Sequence, residues 1–151
     1  MPDRVMCMTI LLCCLAIACS GAPAGGVTTA QGSWSGDAVF TRIDCATRAP
    51  LTSIAPSTEA VQVGIAPSGE AVVQYVLNDG RMTRVTCNLL LTQSGAMLSL
   101  ATPAFCTDAN AEYVVATGTE AGGVLVLDTE VETMAATELR CRTVRHTLTR
   151  R

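Results

Sequence analysis

The sequence predicts an all-β protein: about eight antiparallel strands forming a small up-and-down barrel or a two-sheet sandwich, stapled by two disulfides. Three observations carry this. Apolar and polar residues alternate in segment after segment, short Gly-, Ser-, Asn- or Asp-containing turns separate the segments, and no stretch keeps a 3.6-residue apolar period for long. The chain has 151 residues, enough for one domain once a leader is removed. Its apolar fraction is 49% but its aromatic fraction only 3%, so Val, Leu, Ile, Ala and Met must fill the core.

Residues 1–18 read as a cleavable signal peptide. Arg4 supplies a short positive region, and residues 5–17 form an uncharged run of thirteen residues, too short for a comfortable membrane-spanning helix. Leu15-Ala16-Ile17-Ala18-Cys19 resembles the lipobox of bacterial lipoproteins. That resemblance implies a lipid (diacylglycerol, often with an amide-linked palmitate) on Cys19 and a domain held in the cell envelope. By analogy with that family, Ser20 rather than Asp after the cysteine fits outer-membrane sorting if the source has two membranes. Ala16 stands where the lipobox more often has Leu. Ala16-Ile17-Ala18 and Ala22-Pro23-Ala24 also suit ordinary signal peptidase, which would release a secreted protein. Residues 19–33 then form the lipid-bearing N-terminus and a flexible, uncharged tether, and residues 34–151 the all-β domain.

The strands follow in order. Residues 38–45 alternate, with Val39, Ile43 and Cys45 on one face and Arg42 and Asp44 on the other. Residues 58–65 set Val61, Val63 and Ile65 against Gln62 and Gly64. Residues 70–77 run into Asn78-Asp79-Gly80, a strong hairpin signal, and residues 81–92 return with Val85, Cys87, Leu89 and Leu91 on one face. Gln93-Ser94-Gly95 turns the chain into residues 96–101, and a Pro103-containing loop carries Cys106. Residues 112–119, 124–131 and 138–148 complete the set, with Gly122-Gly123 as a turn and residues 133–139 the one place for a helical turn.

Four cysteines remain once the leader and Cys19 are set aside: Cys45, Cys87, Cys106 and Cys141. An even set in an exported domain reads as two disulfides with three possible pairings. Cys87 and Cys106, nineteen residues apart, could pair, and Cys45 could reach Cys141 if the first and last strands are neighbours. No C-x-x-C is present, which removes the zinc-ribbon and thioredoxin readings.

Gly32-Ser33-Trp34 at the head of the first strand resembles the Gly-x-Trp opening of the lipocalin-like (calycin) barrels. The resemblance implies an Arg of the last strand packed across Trp34, with Arg140, Arg142 and Arg145 as candidates. A lone Trp plugging one end of an unrelated β core is the alternative.

Few residues suggest chemistry. His146 is the only histidine, and no nucleophile–base pair, phosphate loop or metal-ligand spacing is visible, so no catalytic residue, metal or cofactor is expected. Asp128, Glu130 and Glu132 share one strand face, which reads as a solvated outer wall rather than a cation site. Arg140, Arg142, Arg145, Arg150 and Arg151 make the C-terminal stretch basic. They can pair with that acidic strand in a hairpin or touch anionic head groups. A net charge of -3 and few aromatic stacking platforms argue against nucleic-acid binding. The expectation is a non-enzymatic envelope lipoprotein that reaches the membrane through its lipid anchor and binds a small apolar ligand or an envelope protein. The alternative is an inhibitor or accessory subunit of a secreted enzyme.

Overall fold

An alternating strand buries every second side chain when its sheet packs against another layer or closes on itself, and this chain takes the second course. The structure, a computed structural model, describes residues 29–78, 82–107, 111–135 and 137–151. The leader, Cys19 and most of the tether lie outside the described residues.

The strands are β1 (Gly32–Ile43), β2 (Ser57–Ile65), β3 (Glu70–Asn78), β4 (Met82–Ser94), β5 (Met97–Leu100), β6 (Ala104–Thr107), β7 (Ala111–Ala121), β8 (Val124–Ala135) and β9 (Glu138–Arg150). Each pairs antiparallel with its neighbours, and β9 returns to pair with β1 from Trp34↔Arg150 to Ile43↔Cys141. β5 and β6 both lie between β4 and β7, and together fill one strand position broken at 101–103. The result is a closed up-and-down barrel of eight strand positions. Of the two architectures the sequence allows, the barrel is the one formed.

The inward positions are Trp34, Ala38, Val61, Val63, Ile65, Val73, Leu89, Leu91, Leu98, Leu125, Leu127 and Leu148, all buried. Outward positions include Asp37, Gln62, Gln74, Asn88, Thr117 and Arg145, so the wall is largely polar and the interior apolar. Gly36 is needed where β1 lies against β9: a Cβ there would meet the Thr147 carbonyl oxygen at 2.1 Å. Gly122-Gly123 joins β7 to β8 with φ of 60° and 79°, the left-handed pair that a tight hairpin turn requires.

The structure corrects several sequence-based expectations. The described residues of 133–139 hold no helical turn; β8 runs to Ala135 and β9 starts at Glu138. Cys106 sits in strand β6 rather than a loop, because Cys106 pairs with Cys87 of β4 and Ala111 of β7. β1 begins at Gly32, earlier than the 38–45 segment that its alternation marks, and Ala30 is already buried.

The faces of β1 are also the reverse of those read from its alternation. Ala38 is buried and Val39 is 37% exposed, because Trp34 commits the even-numbered positions to the interior. Ile43 is buried from outside instead, with the segment after β1 folded back to bridge Ile43 and Pro50.

Candidate functional site: the open mouth of the barrel

One end of the barrel is plugged. Trp34 lies within it, 1% exposed, and its indole N–H donates to the Ala30 carbonyl at 2.8 Å. The Arg that covers Trp34 is Arg150, its guanidinium carbon 4.8 Å from the ring centroid. Arg140 and Arg142 lie on β9 at the opposite end of the barrel, and Arg145 points outward to Asp128. The Trp34–Arg140 and Trp34–Arg142 pairings are therefore not formed. Arg150 takes that place because it stands opposite Trp34 in the β1–β9 register.

Midway along the interior runs a polar chain that sequence reasoning missed. His146 Nδ1–H donates to the Leu127 carbonyl at 2.9 Å, which leaves Nε2 to accept from the Tyr75 hydroxyl at 2.7 Å. The Tyr75 oxygen in turn accepts from the Tyr113 hydroxyl. Every polar atom of the chain has a partner, so it is stable without water. Burial pushes the His146 pKa below its ordinary value, outweighing the Leu127 carbonyl and Asp128, which favour the charged ring. Burial likewise pushes both tyrosines up. The chain is neutral near pH 7. One signal was available in the sequence: His146 occupies an inward register position between Val144 and Leu148.

Above this chain the described residues leave the barrel open. A cavity of about 130 Å³ is lined by Phe40, Tyr75, Val85, Ala111, Tyr113 and Val131, by Cys87 and Cys106, and by Thr133 and Arg142 at the rim. Phe40 packs edge-on against Tyr75, ring centroids 5.3 Å apart. Broader depressions of about 480 to 510 Å³ lie on the outer wall, where they are the corrugations of a sheet surface rather than an enclosed space.

Two disulfides frame the mouth. Cys87–Cys106 joins β4 to β6 inside the barrel, and Cys45–Cys141 ties the segment after β1 to β9. The neighbouring β1 and β9 make the second pairing possible. That segment is further fixed by Asp44, whose Oδ1 accepts from the Ala46 and Thr47 amides and the Thr47 hydroxyl. The Thr47 amide and hydroxyl hold the Asp44 carboxyl below its usual range. Arg48 then reaches the outer wall, donating to Glu132 at 2.8 Å with Glu130 at 3.8 Å.

The acidic trio of β8 is thus an outer-wall feature. Asp128 takes a two-pronged contact from its hairpin partner Arg145 at 2.8 and 2.9 Å, while Glu130 and Glu132 face Arg48. Hairpin pairing between the basic stretch and the acidic strand holds for Arg145 alone. Among the described residues no group of three His, Cys, Asp or Glu side chains gathers in metal-binding range, and no helix is long and apolar enough to cross a membrane.

At the rim, Arg42 and Arg142 face each other in the register of β1 and β9, both at inward positions. The Nε of each is buried without a hydrogen-bond partner among the described residues. Burial and the nearby charges of Arg42 and Arg140 make the Arg142 charge harder to hold. Arg140 shares the inward side of β9 but is engaged by Glu138 at 3.2 Å. No family model matches the chain, and neither does any curated protein or solved structure. The site is an apolar and aromatic recess, with its tyrosine hydroxyls already engaged, under a cationic rim.

Proposed function

We propose that this protein is a non-enzymatic binding module of the cell envelope, anchored through a lipid on Cys19, and that its ligand is a small apolar molecule seated in the mouth of the barrel. The observation that carries the reading is the recess of about 130 Å³ between Phe40, Tyr75, Tyr113 and Val131. Below it lie buried side chains, from Leu127 and Val73 down to Trp34 and Leu148. A space this close to the roughly 150 Å³ of a cavity that takes up benzene suits a ring or a short chain. It is well below the ~300 Å³ where drug-sized sites begin.

Docking of another envelope protein is the second reading. Phe105, 71% exposed, supports it, together with the exposed Met134 and Leu139 on the β8–β9 hairpin at the same end.

Native mass spectrometry of membrane-extracted protein under non-reducing conditions tests the proposal. The expected result is an acylated N-terminus at Cys19, two disulfides and a co-purifying small mass. A mature, unacylated chain starting at Gly25 overturns the anchor. A ligand-free protein that instead co-purifies with a second polypeptide favours docking through Phe105.

A further inference from the structure

We propose that Arg42 and Arg142 form an oxyanion-binding pair, so that the occupant of the mouth is a small carboxylate with a compact apolar body. This rests on the binding reading above and names its ligand class.

Arg42 and Arg142 are direct register partners on adjacent antiparallel strands and share the inward face. Like charges set opposite one another in this way repel. Nothing described nearby answers them. Asp44 is taken up by its own turn, Glu138 by Arg140, and Glu130 and Glu132 by Arg48 on the outer wall. Glu112 stands at an outward position of β7, opposite Phe105. A buried N–H with no acceptor is costly to leave so, and here two occur side by side. Among the described residues the cationic pair therefore has no counter-charge, and an anion would relieve it.

The recess beside the pair limits what else the anion carries. Arg142 lines the cavity directly, next to Val131 and Phe40. Tyr75 and Tyr113 spend their hydroxyls on each other and on His146, so the cavity floor favours an apolar group. A planar guanidinium presents two N–H donors side by side, which match the two oxygens of a carboxylate. A ring or short chain fills a space of about 130 Å³; a long acyl chain does not.

Calorimetric titration of the purified full-length chain with benzoate and with uncharged benzyl alcohol tests this. Benzoate should bind about tenfold or more tightly than benzyl alcohol, and added salt should erode the difference. Arg142→Met should abolish the preference, keep benzyl alcohol binding, and unfold at a higher temperature than the parent, since it removes an uncompensated charge. Arg42→Met should behave alike. Equal binding of the two probes, or a preference that survives both substitutions, overturns the arginine assignment and leaves the cavity reading standing. Failure of both probes to bind overturns the two together. Palmitate binding more tightly than benzoate overturns the size limit.

Discussion

His146 shows how one polar side chain can sit at the centre of an apolar tube. Its ring is fully buried, yet both nitrogens are satisfied, one by a strand carbonyl and the other by Tyr75. Tyr75→Phe would leave His146 Nε2 and the Tyr113 hydroxyl without their shared partner. Its expected cost is about 1–3 kcal/mol in urea-induced unfolding. The same ring sets an acid limit. Its folded-state pKa lies below the ordinary 6.5, so the unfolded chain takes up the proton first. The contribution of His146 is complete above about pH 6.5 and is lost as pH falls toward the folded value. Stability measured from pH 7.5 to 5 should decline, and His146→Leu paired with Tyr75→Phe should flatten that decline. Asp44, also lowered, acts in a separate window below its ordinary 3.8, where its stabilising contribution is lost on acidification.

At the scale of the strand, the informative elements are those where alternation and structure part. β2 and β4 present the faces that their alternation shows, with Val61, Val63, Ile65, Cys87, Leu89 and Leu91 inside. In β1 the pattern is weak: Gly36, Ala38 and Phe40 compete with Val39 and Ile43, and only the Trp34 contacts decide between them. β7 hides a different irregularity. Its register shifts between Tyr113 and Val115, so Tyr113 and Ala116 both face inward although they differ in parity. A Val-Val pair at 114–115 gives no local sign of that bulge. Position 36 offers a test. Gly36→Ala drives a methyl into the Thr147 carbonyl on the adjacent strand, and should cost about 1–3 kcal/mol, read as a lower urea midpoint with an unchanged slope. The candidate site was harder to read than the fold. Alternation sets Arg42 on the face opposite Val39 and Ile43, and the Gly-x-Trp resemblance directs Arg142 toward Trp34 rather than toward Arg42. Their meeting depends on β1 lying beside β9, which alternation within either strand does not encode.

For the whole molecule, closure is the deciding event. A barrel without a free edge needs its first and last strands to find each other across nearly the entire chain, and Cys45–Cys141 fastens that contact across 96 residues. Converting both cysteines to serine should lower unfolding free energy by about 2–5 kcal/mol, checked by denaturant titration against the parent. The plugged end and the open end then take different roles: Trp34 and Arg150 seal one, while the other keeps a recess lined by Arg142, the register partner of Arg42. The proposed role of this recess is to bind a ligand. The most direct measurement is a two-dimensional NMR titration of the methyl-labelled protein with benzoate. Saturable shifts should be confined to Val85, Ala111 and Val131 at the mouth, with Leu125 and Leu148 at the plugged end unchanged. Shifts confined to the outer residues Met134 and Leu139, or no shifts at all, would contradict it.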